Sequence, residues 1–263
     1  MTSPSVLPQP APAPNALFEL LLRLGDDRLV LGSRLSEWCG HGPILEEDIA
    51  LSNVALDLLG QATMFLRLAG EVEGKGRDAD ALAYFREAVE FRCCQLVELP
   101  KGDFAFTMAR QFLFDVYAVV MLDALSRSAN SELAAIAAKS LKEAKYHVRH
   151  SGEWMLKLGD GTDESHRRVQ RALDELWRFT PALFAADDVG RVLLDSGVAP
   201  DVAPLKVEWE RLVREVIDAA TLTLPHDVAA GIRGGRSGAH TEHLGHLLAE
   251  FQIVARSHPG ATW

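Results

Sequence analysis

The sequence predicts an all-α fold in which four long helices form a bundle and further helices follow toward the C-terminus. Apolar residues recur with helical spacing along most of the 263 residues, and no stretch alternates as a half-buried strand does. The four longest helical stretches are arranged as two pairs along the chain. This arrangement is the plan of a four-helix bundle with additional C-terminal helices.

Helix boundaries are predicted from capping residues and from Gly and Pro. Asp103, Ser131 and Thr162 are placed to cap the helices that follow, because their side-chain oxygens can accept hydrogen bonds from free backbone N–H groups. Residues 1–14 hold five prolines and are expected to be a disordered tail, so that 15–263 form a single domain. The predicted helices cover about residues 16–39, 45–71, 78–98, 104–128, 132–158, 162–177, 187–196, 201–222 and 240–258.

The composition is that of an acidic globular protein. Hydrophobic residues make up 48% of the chain, which is ample for a core, and the formal net charge is -10. An acidic surface argues against nucleic-acid binding. The three cysteines, of which Cys93 and Cys94 are adjacent, do not make a disulfide framework. We therefore expect a cytoplasmic protein with no membrane segment and no signal peptide.

Four ionisable residues fall on apolar or inward-facing stripes of the four long helices. They are Asp27, Asp57, Arg110 and Glu143. An unpaired ion inside a protein is strongly unfavourable, so these groups are expected to find one another. The sequence therefore predicts a charge cluster inside the bundle, with three carboxylates against one arginine.

The spacing of these four residues is that of a bundle that binds two metal ions. Such a bundle places a carboxylate on one helix and Glu-x-x-His on its partner, twice over. The two residue pairs are separated by 30 and 33 positions, which fits that plan. The ligands do not fit, because Gly60 and Tyr146 occupy the His positions and Arg110 places a cation where a carboxylate is needed. We assign no catalytic residue and no metal ligand, and we interpret the cluster as a degenerate, structural metal site.

Two other functions are compatible with the same residues. His147 stands one turn after Glu143 and, with Asp57, would bind iron in a rearranged way. The chain would then be an active di-metal oxidase. Alternatively, the bundle would be a stand-alone binding protein that has no oxygenase partner.

The last predicted helix holds a second, weaker set of candidate metal ligands. His243, His246 and Glu250 share one face of this helix at positions i, i+3 and i+7, which is possible ligand geometry. No further ligand is evident, and histidines at a helix start more often have structural roles. The set is therefore kept as an alternative only.

A Gly-rich loop at 231–238 precedes this helix and carries Arg233 and Arg236. No strand precedes the loop, so no phosphate-binding fingerprint applies. We expect a mobile linker, with contact to a ligand phosphate or to a partner through the two arginines as the alternative.

Several strings spread over the chain resemble the C-subunit family of bacterial phenylacetyl-CoA 1,2-epoxidase. Together they extend over essentially everything after the Pro-rich tail, which makes the resemblance specific. The strings are Arg23–Asp27, Leu35–Pro43, Glu46–Leu51, Ala55–Gln61, Gly102–Ala105, Arg110–Phe112, Leu158–Thr162 and His240–Gly245.

The resemblance implies a ferritin-like helical fold without a metal site and a structural, non-catalytic role. In that family the partner is a related A subunit, which carries a di-iron centre and binds phenylacetyl-CoA. Further subunits complete the complex, and a reductase with flavin and an iron–sulfur cluster uses NADPH. The resemblance thus implies that this chain binds no cofactor itself, that it assembles with those subunits, and that a homodimer contact is possible.

Overall fold

A computed structural model describes residues 16–225, 231–232 and 234–261. The predicted tail at 1–14 and Arg233 lie outside the described residues. Within these ranges the chain is helical and contains no strand, which confirms the predicted fold class. The helices are α1 (Ala16–Ser36), α2 (Leu45–Glu73), α3 (Ala79–Tyr84), α4 (Gln95–Glu98), α5 (Phe104–Leu125), α6 (Ser131–Gly159), α7 (Asp163–Trp177), α8 (Asp188–Asp195), α9 (Val202–Ala219) and α10 (Glu242–Ser257).

The four long helices form the bundle as two tightly packed pairs. Helix α1 lies along α2, and α5 lies along α6, while α2 and α6 also touch each other. Helices α7 and α9 cover the outside of α5. From α9, Trp209 is buried and its Nε1 donates a hydrogen bond to the carbonyl oxygen of Leu113 at 3.0 Å. As a result most of α5 is buried, which explains its nearly uniform apolar sequence.

Two of the three predicted helix caps are confirmed. Asp103 accepts a hydrogen bond from the N–H of Phe106 at 2.8 Å, and Thr162 accepts one from the N–H of Ser165 at 3.2 Å. The predicted cap of α6 is wrong by one residue. Asn130 caps this helix, and Ser131 is its first residue.

The predicted helix at 78–98 is wrong. Helix α3 ends at Tyr84, and an irregular segment with one 3-10 turn leads to α4. The reason lies in two carboxylates of α1. Asp26 accepts a hydrogen bond from the N–H of Arg92 at 2.7 Å, and Asp27 accepts one from the N–H of Cys94 at 2.8 Å. These N–H groups therefore bond to side chains instead of to helical carbonyls.

The hydrophobic core is continuous from Phe18 on α1 to Leu248 on α10. Helix α10 packs against the segment around α3, where Gln252 donates to the carbonyl oxygens of Ala83 and Arg86 at 3.0 and 3.1 Å. The additional C-terminal helices therefore lie around the bundle and leave its interior to the four long helices.

Two glycines of α2 are predicted to respond oppositely to substitution by alanine. At Gly70 a Cβ would overlap the carbonyl oxygen of Arg77, whereas at Gly60 it would meet nothing within 4 Å. We expect Gly70→Ala to lower the free energy of unfolding by about 2 kcal/mol through overpacking. Gly60→Ala should raise it by up to about 1 kcal/mol through helix propensity. Urea denaturation measures both changes, and equal shifts in one direction would contradict the close approach at Gly70.

Candidate functional site

Asp27 is fully buried and is paired with the Gly-rich loop, not with Asp57, Arg110 or Glu143. Its carboxylate accepts hydrogen bonds from Arg236 at 2.7 and 2.9 Å. Burial alone would lower the pKa of Arg236, but the Asp27 carboxylate raises this pKa above its ordinary value and keeps the guanidinium charged. The Gly-rich loop was predicted to be a mobile linker, and this is wrong for Arg236, which anchors the loop to α1.

Arg110 is also fully buried, yet its guanidinium contacts no carboxylate of the described residues. It donates to the carbonyl oxygens of Leu99 and Pro100, the latter at 3.1 Å. Burial lowers the pKa of Arg110 to about 9, and the nearby Arg34 contributes to the same shift. Arg110 thus satisfies the carbonyls between α4 and α5 and does not neutralise the carboxylates of the bundle.

Asp57 and Glu143 lie where α2 meets α6. The Asp57 carboxylate is 40% exposed and accepts a hydrogen bond from Nε2 of His147 at 3.0 Å. Glu143 accepts from the side-chain amide of Gln61 at 2.8 Å. The prediction of one cluster formed by Asp27, Asp57, Arg110 and Glu143 is therefore wrong, because each of the four side chains has a different partner.

The residues that occupy the interior lie one position later on each helix. Gly60 and Tyr146, which the sequence assigned to the two His positions, are exposed. The later positions keep the predicted separations of 30 and 33 residues, and each is no more than 2% exposed. They are Arg28 on α1, Leu58 and Gln61 on α2, Gln111 on α5, and Ala144 and His147 on α6.

A chain of hydrogen bonds links the two helix pairs through these positions. Nε of Arg28 donates to Oε1 of Gln61 at 2.8 Å, and Nε2 of Gln61 donates to Oε2 of Glu143 at 2.8 Å. The guanidinium also lies over the ring of Phe65, 4.9 Å from its centroid. Burial lowers the pKa of Arg28 to about 10, so it remains a cation at neutral pH. The interior of this bundle therefore holds a positive charge.

Asp115 forms a second buried network, one turn after Gln111 on α5. The amide of Gln111 donates to Oδ1 of Asp115 at 2.7 Å, and Ser151 lies 2.8 Å from Oδ2. Burial raises the pKa of Asp115 to about 8, so the acid is mostly neutral at pH 7. Asp115 is buried because its carboxyl faces α6, the helix that carries Ser151.

His147 is the one imidazole among the six interior positions. Burial lowers its pKa, although the Asp57 carboxylate opposes this shift. The neutral ring therefore donates through Nε2 to Asp57. A second pair, His150 and Glu47 at 2.9 Å, lies farther along the same contact between α2 and α6. Polar pairs thus hold α2 and α6 together.

The interior residues do not fit a pair of iron ions. Iron in such a bundle needs four carboxylates and two imidazoles, and the six positions offer one imidazole and no carboxylate. Arg28 adds a positive charge that would repel a metal ion. The rearranged set of Asp57, Glu143 and His147 does not converge either, because Gln61 holds Glu143.

A three-ligand group does occur elsewhere in the described part of the chain. Cys93, Glu98 and His240 bring their ligand atoms within 4.8 Å of one another. The predicted alternative of His243, His246 and Glu250 does not form such a group in the described residues. The sequence alone assigns no role to Cys93 or His240, because their contact joins segments far apart in the chain.

Comparison with known proteins identifies the family. A family model described as "Phenylacetic acid catabolic protein" matches residues 4–263. The chain belongs to this family. A curated member, the C subunit of 1,2-phenylacetyl-CoA epoxidase from Escherichia coli (strain K12), is 48% identical over 249 residues, which cover 95% of this chain and 100% of that protein. The resemblance stated from the sequence strings is thereby confirmed.

The buried acid predicts a specific dependence of stability on pH. Between pH 3.8, the ordinary pKa of an aspartic acid, and about pH 8, Asp115 of the folded protein keeps a proton that the unfolded chain releases. The folded protein is therefore destabilised progressively as the pH rises through this range. Asp115→Asn stays neutral, so its advantage over the wild type should grow between about pH 5 and pH 8, by at most about 1.4 kcal/mol per pH unit.

Urea denaturation at a series of pH values measures this difference. Asp123→Asn changes an exposed carboxylate on the same helix and serves as the control, which should follow the wild-type profile. A constant difference between Asp115→Asn and the wild type would show that Asp115 is ionised in the folded protein.

Proposed function

We propose that this chain is the structural, non-catalytic subunit of a phenylacetyl-CoA epoxidase in aerobic phenylacetate catabolism. The single observation that carries the proposal is the set of interior residues, in which Arg28 and Gln61 stand among the positions that ligands would need. The likeness to the C subunit of the Escherichia coli epoxidase supports it. In this proposal the di-iron centre lies in a partner subunit, and a reductase supplies electrons from NADPH.

Charge decides between this role and an active di-metal oxidase. Two iron ions require several anionic oxygens to balance their charge. The nearest anions of the bundle interior are already engaged, since Glu143 accepts from Gln61 and Asp57 accepts from His147. A further cation would have to displace these partners while facing Arg28. The interior therefore favours a role in assembly over oxygen chemistry.

An apolar face on α2 and α6 supports the role in assembly. Leu45, Ile49 and Leu56 lie on one stripe of α2 and are 72%, 52% and 65% exposed. Tyr146 on α6 is 51% exposed and is the neighbour of His147, which contacts α2. We call these four residues the α2 face. Exposed apolar residues that are contiguous mark surfaces for binding other proteins.

The exposure of α2 is unusual for so apolar a helix. Both α2 and α5 are long and apolar enough to span a membrane by length and composition. In α5, 89% of the most apolar stretch is buried inside the protein, against 44% in α2. A permanent partner would cover the remainder of α2, as stable subunit interfaces are large and apolar. In the proposal this partner is the helical catalytic subunit, and further subunits of the complex bind around the pair.

The first test of the proposal measures iron and activity. We expect the purified chain, supplied with iron during expression, to hold well below one iron per chain and to show no epoxidation alone. The same chain added to the catalytic subunit and reductase should raise phenylacetyl-CoA epoxidation. About two irons per chain, as in metal-binding bundles, would contradict the proposal. An iron-dependent absorbance lost in Glu143→Ala would establish the rearranged di-metal oxidase instead.

The second test places a charge on the α2 face. Leu56→Arg should weaken co-purification with the catalytic subunit by at least about 10-fold, because a buried unpaired ion disfavours an interface. Val207→Arg, at a residue of α9 that is 67% exposed, is the matched control and should leave co-purification unchanged. Both variants should melt within a few degrees of the wild type, since neither position is buried. Equal loss in both variants, or none in Leu56→Arg, would place the interface elsewhere.

A further inference from the structure

Three potential ligand atoms meet at a buried point outside the interior of the bundle. Sγ of Cys93 lies 3.7 Å from Oε1 of Glu98 and 3.9 Å from Nδ1 of His240, and the last two atoms are 2.6 Å apart. Cys93 and Glu98 are fully buried, and the side chain of His240 is 5% exposed. They come from the irregular segment before α4, from α4 itself and from the loop before α10.

We propose that Cys93, Glu98 and His240 bind a divalent cation, with Zn²⁺ as the ion that suits these donors. Thiolate sulfur, imidazole nitrogen and carboxylate oxygen are the three ligand types that zinc prefers in proteins. Binding releases the thiol proton of Cys93 and the proton that joins Nδ1 of His240 to Glu98. The cation then balances the thiolate and the carboxylate, so the buried site becomes neutral. The site goes beyond the proposed function and does not depend on it.

The distances between the donor atoms agree with this ion. Zinc bonds of about 2.0 to 2.3 Å in a tetrahedron place sulfur about 3.5 to 3.6 Å from the nitrogen and the oxygen, and the latter two about 3.3 Å apart. The two distances from Sγ of Cys93, 3.7 and 3.9 Å, are already near these values. Only the pair of Glu98 and His240, now joined by a hydrogen bond of 2.6 Å, has to separate by about 0.7 Å.

Neighbouring groups orient two of the ligands. Nε2 of His240 lies 3.0 Å from the carbonyl oxygen of Phe91, and because a carbonyl only accepts, this nitrogen carries a hydrogen. The other nitrogen, Nδ1, faces Cys93 and Glu98 and donates to Oε1 of Glu98, so it binds a cation after this proton is released. Oε2 of Glu98 accepts from both the N–H and the hydroxyl of Thr241 at 2.7 Å, which leaves Oε1 for the cation. Such outer hydrogen bonds are typical of metal ligands.

The charges around the site are already compensated. Asp26 is paired with Arg86, and Asp27 is paired with Arg236. Arg34 lies near Glu98 but donates to its main-chain carbonyl, at 2.8 and 3.0 Å, and not to its carboxylate. The carboxylate of Glu98 is thus free of any arginine of the described residues. A bound ion would clamp the irregular segment before α4 to the start of α10. The three protein ligands leave one position of the tetrahedron for a further ligand such as water.

Cobalt binding to the full chain tests the site, since Co²⁺ replaces Zn²⁺ and reports thiolate ligation through its absorption. After removal of metals with a chelator, we expect one Co²⁺ per chain with a thiolate-to-cobalt charge-transfer band, and displacement of that band by Zn²⁺. Cys93→Ser should abolish the band and weaken Zn²⁺ binding by roughly 100-fold or more. Cys94→Ser, which changes the equally buried neighbour, is the matched control and should keep both.

Two further variants separate this site from its rivals. Glu98→Gln should weaken binding, whereas His246→Gln should leave it unchanged because that histidine is outside the group. Absence of the charge-transfer band in the wild-type chain would overturn the proposal, even if Cys93→Ser fails to fold. An unchanged band in Cys93→Ser, or its loss in Cys94→Ser, would overturn it as well. Since the readout is thiolate ligation, iron content and epoxidation do not enter the result.

Discussion

The hydrogen-bond chain from Arg28 through Gln61 to Glu143 is the constraint on which the bundle interior depends. Two helix pairs meet here, and α2 joins α6 through polar side chains. The amide of Gln61 accepts from a cation and donates to an anion, so its dipole is aligned by both neighbours and strengthens both bonds. Removal of any one of the three would leave a buried polar group unpaired. This chain of hydrogen bonds connects the two helix pairs through side chains alone.

Two other charged residues of α1, Asp26 and Asp27, hold segments that lie outside the four long helices. Asp26 binds Arg86 and the N–H of Arg92, and Asp27 binds Arg236 and the N–H of Cys94. The irregular segment and the Gly-rich loop are therefore attached to the same helix that faces the bundle interior. One consequence is that the proposed cation site, which uses Cys93, is built on backbone that α1 already holds in place.

The helices could be predicted from the sequence, but the directions of their charged side chains could not. A 3.6-residue repeat identifies a helix whatever surrounds it, and caps such as Asp103 mark its start. If the inward-facing positions of a helix are assigned one residue too early, the predicted directions of the side chains are wrong by about 100°. Such an error can be recognised only when the helix also has a clear polar face. Because α5 is mostly buried, its sequence holds no long polar face. The wheel therefore turned Arg110 toward the carboxylates of the bundle, although its guanidinium faces the carbonyls between α4 and α5. The break of the helix after Tyr84 depends on contacts with α1, which no local pattern reveals.

Introducing four carboxylates would not be sufficient to make this bundle bind a pair of metal ions. Leu58 and Ala144 occupy ligand positions with apolar side chains packed in the core, so larger charged residues would overpack them. Arg28 would have to leave as well, because its charge opposes a cation and its removal frees Gln61 and Glu143. The neutral Asp115 shows what an acid becomes in this interior when no cation accompanies it. Arg28, Gln61 and Glu143 thus stabilise one another through hydrogen bonds, and the charge of Arg28 opposes a metal ion at these positions.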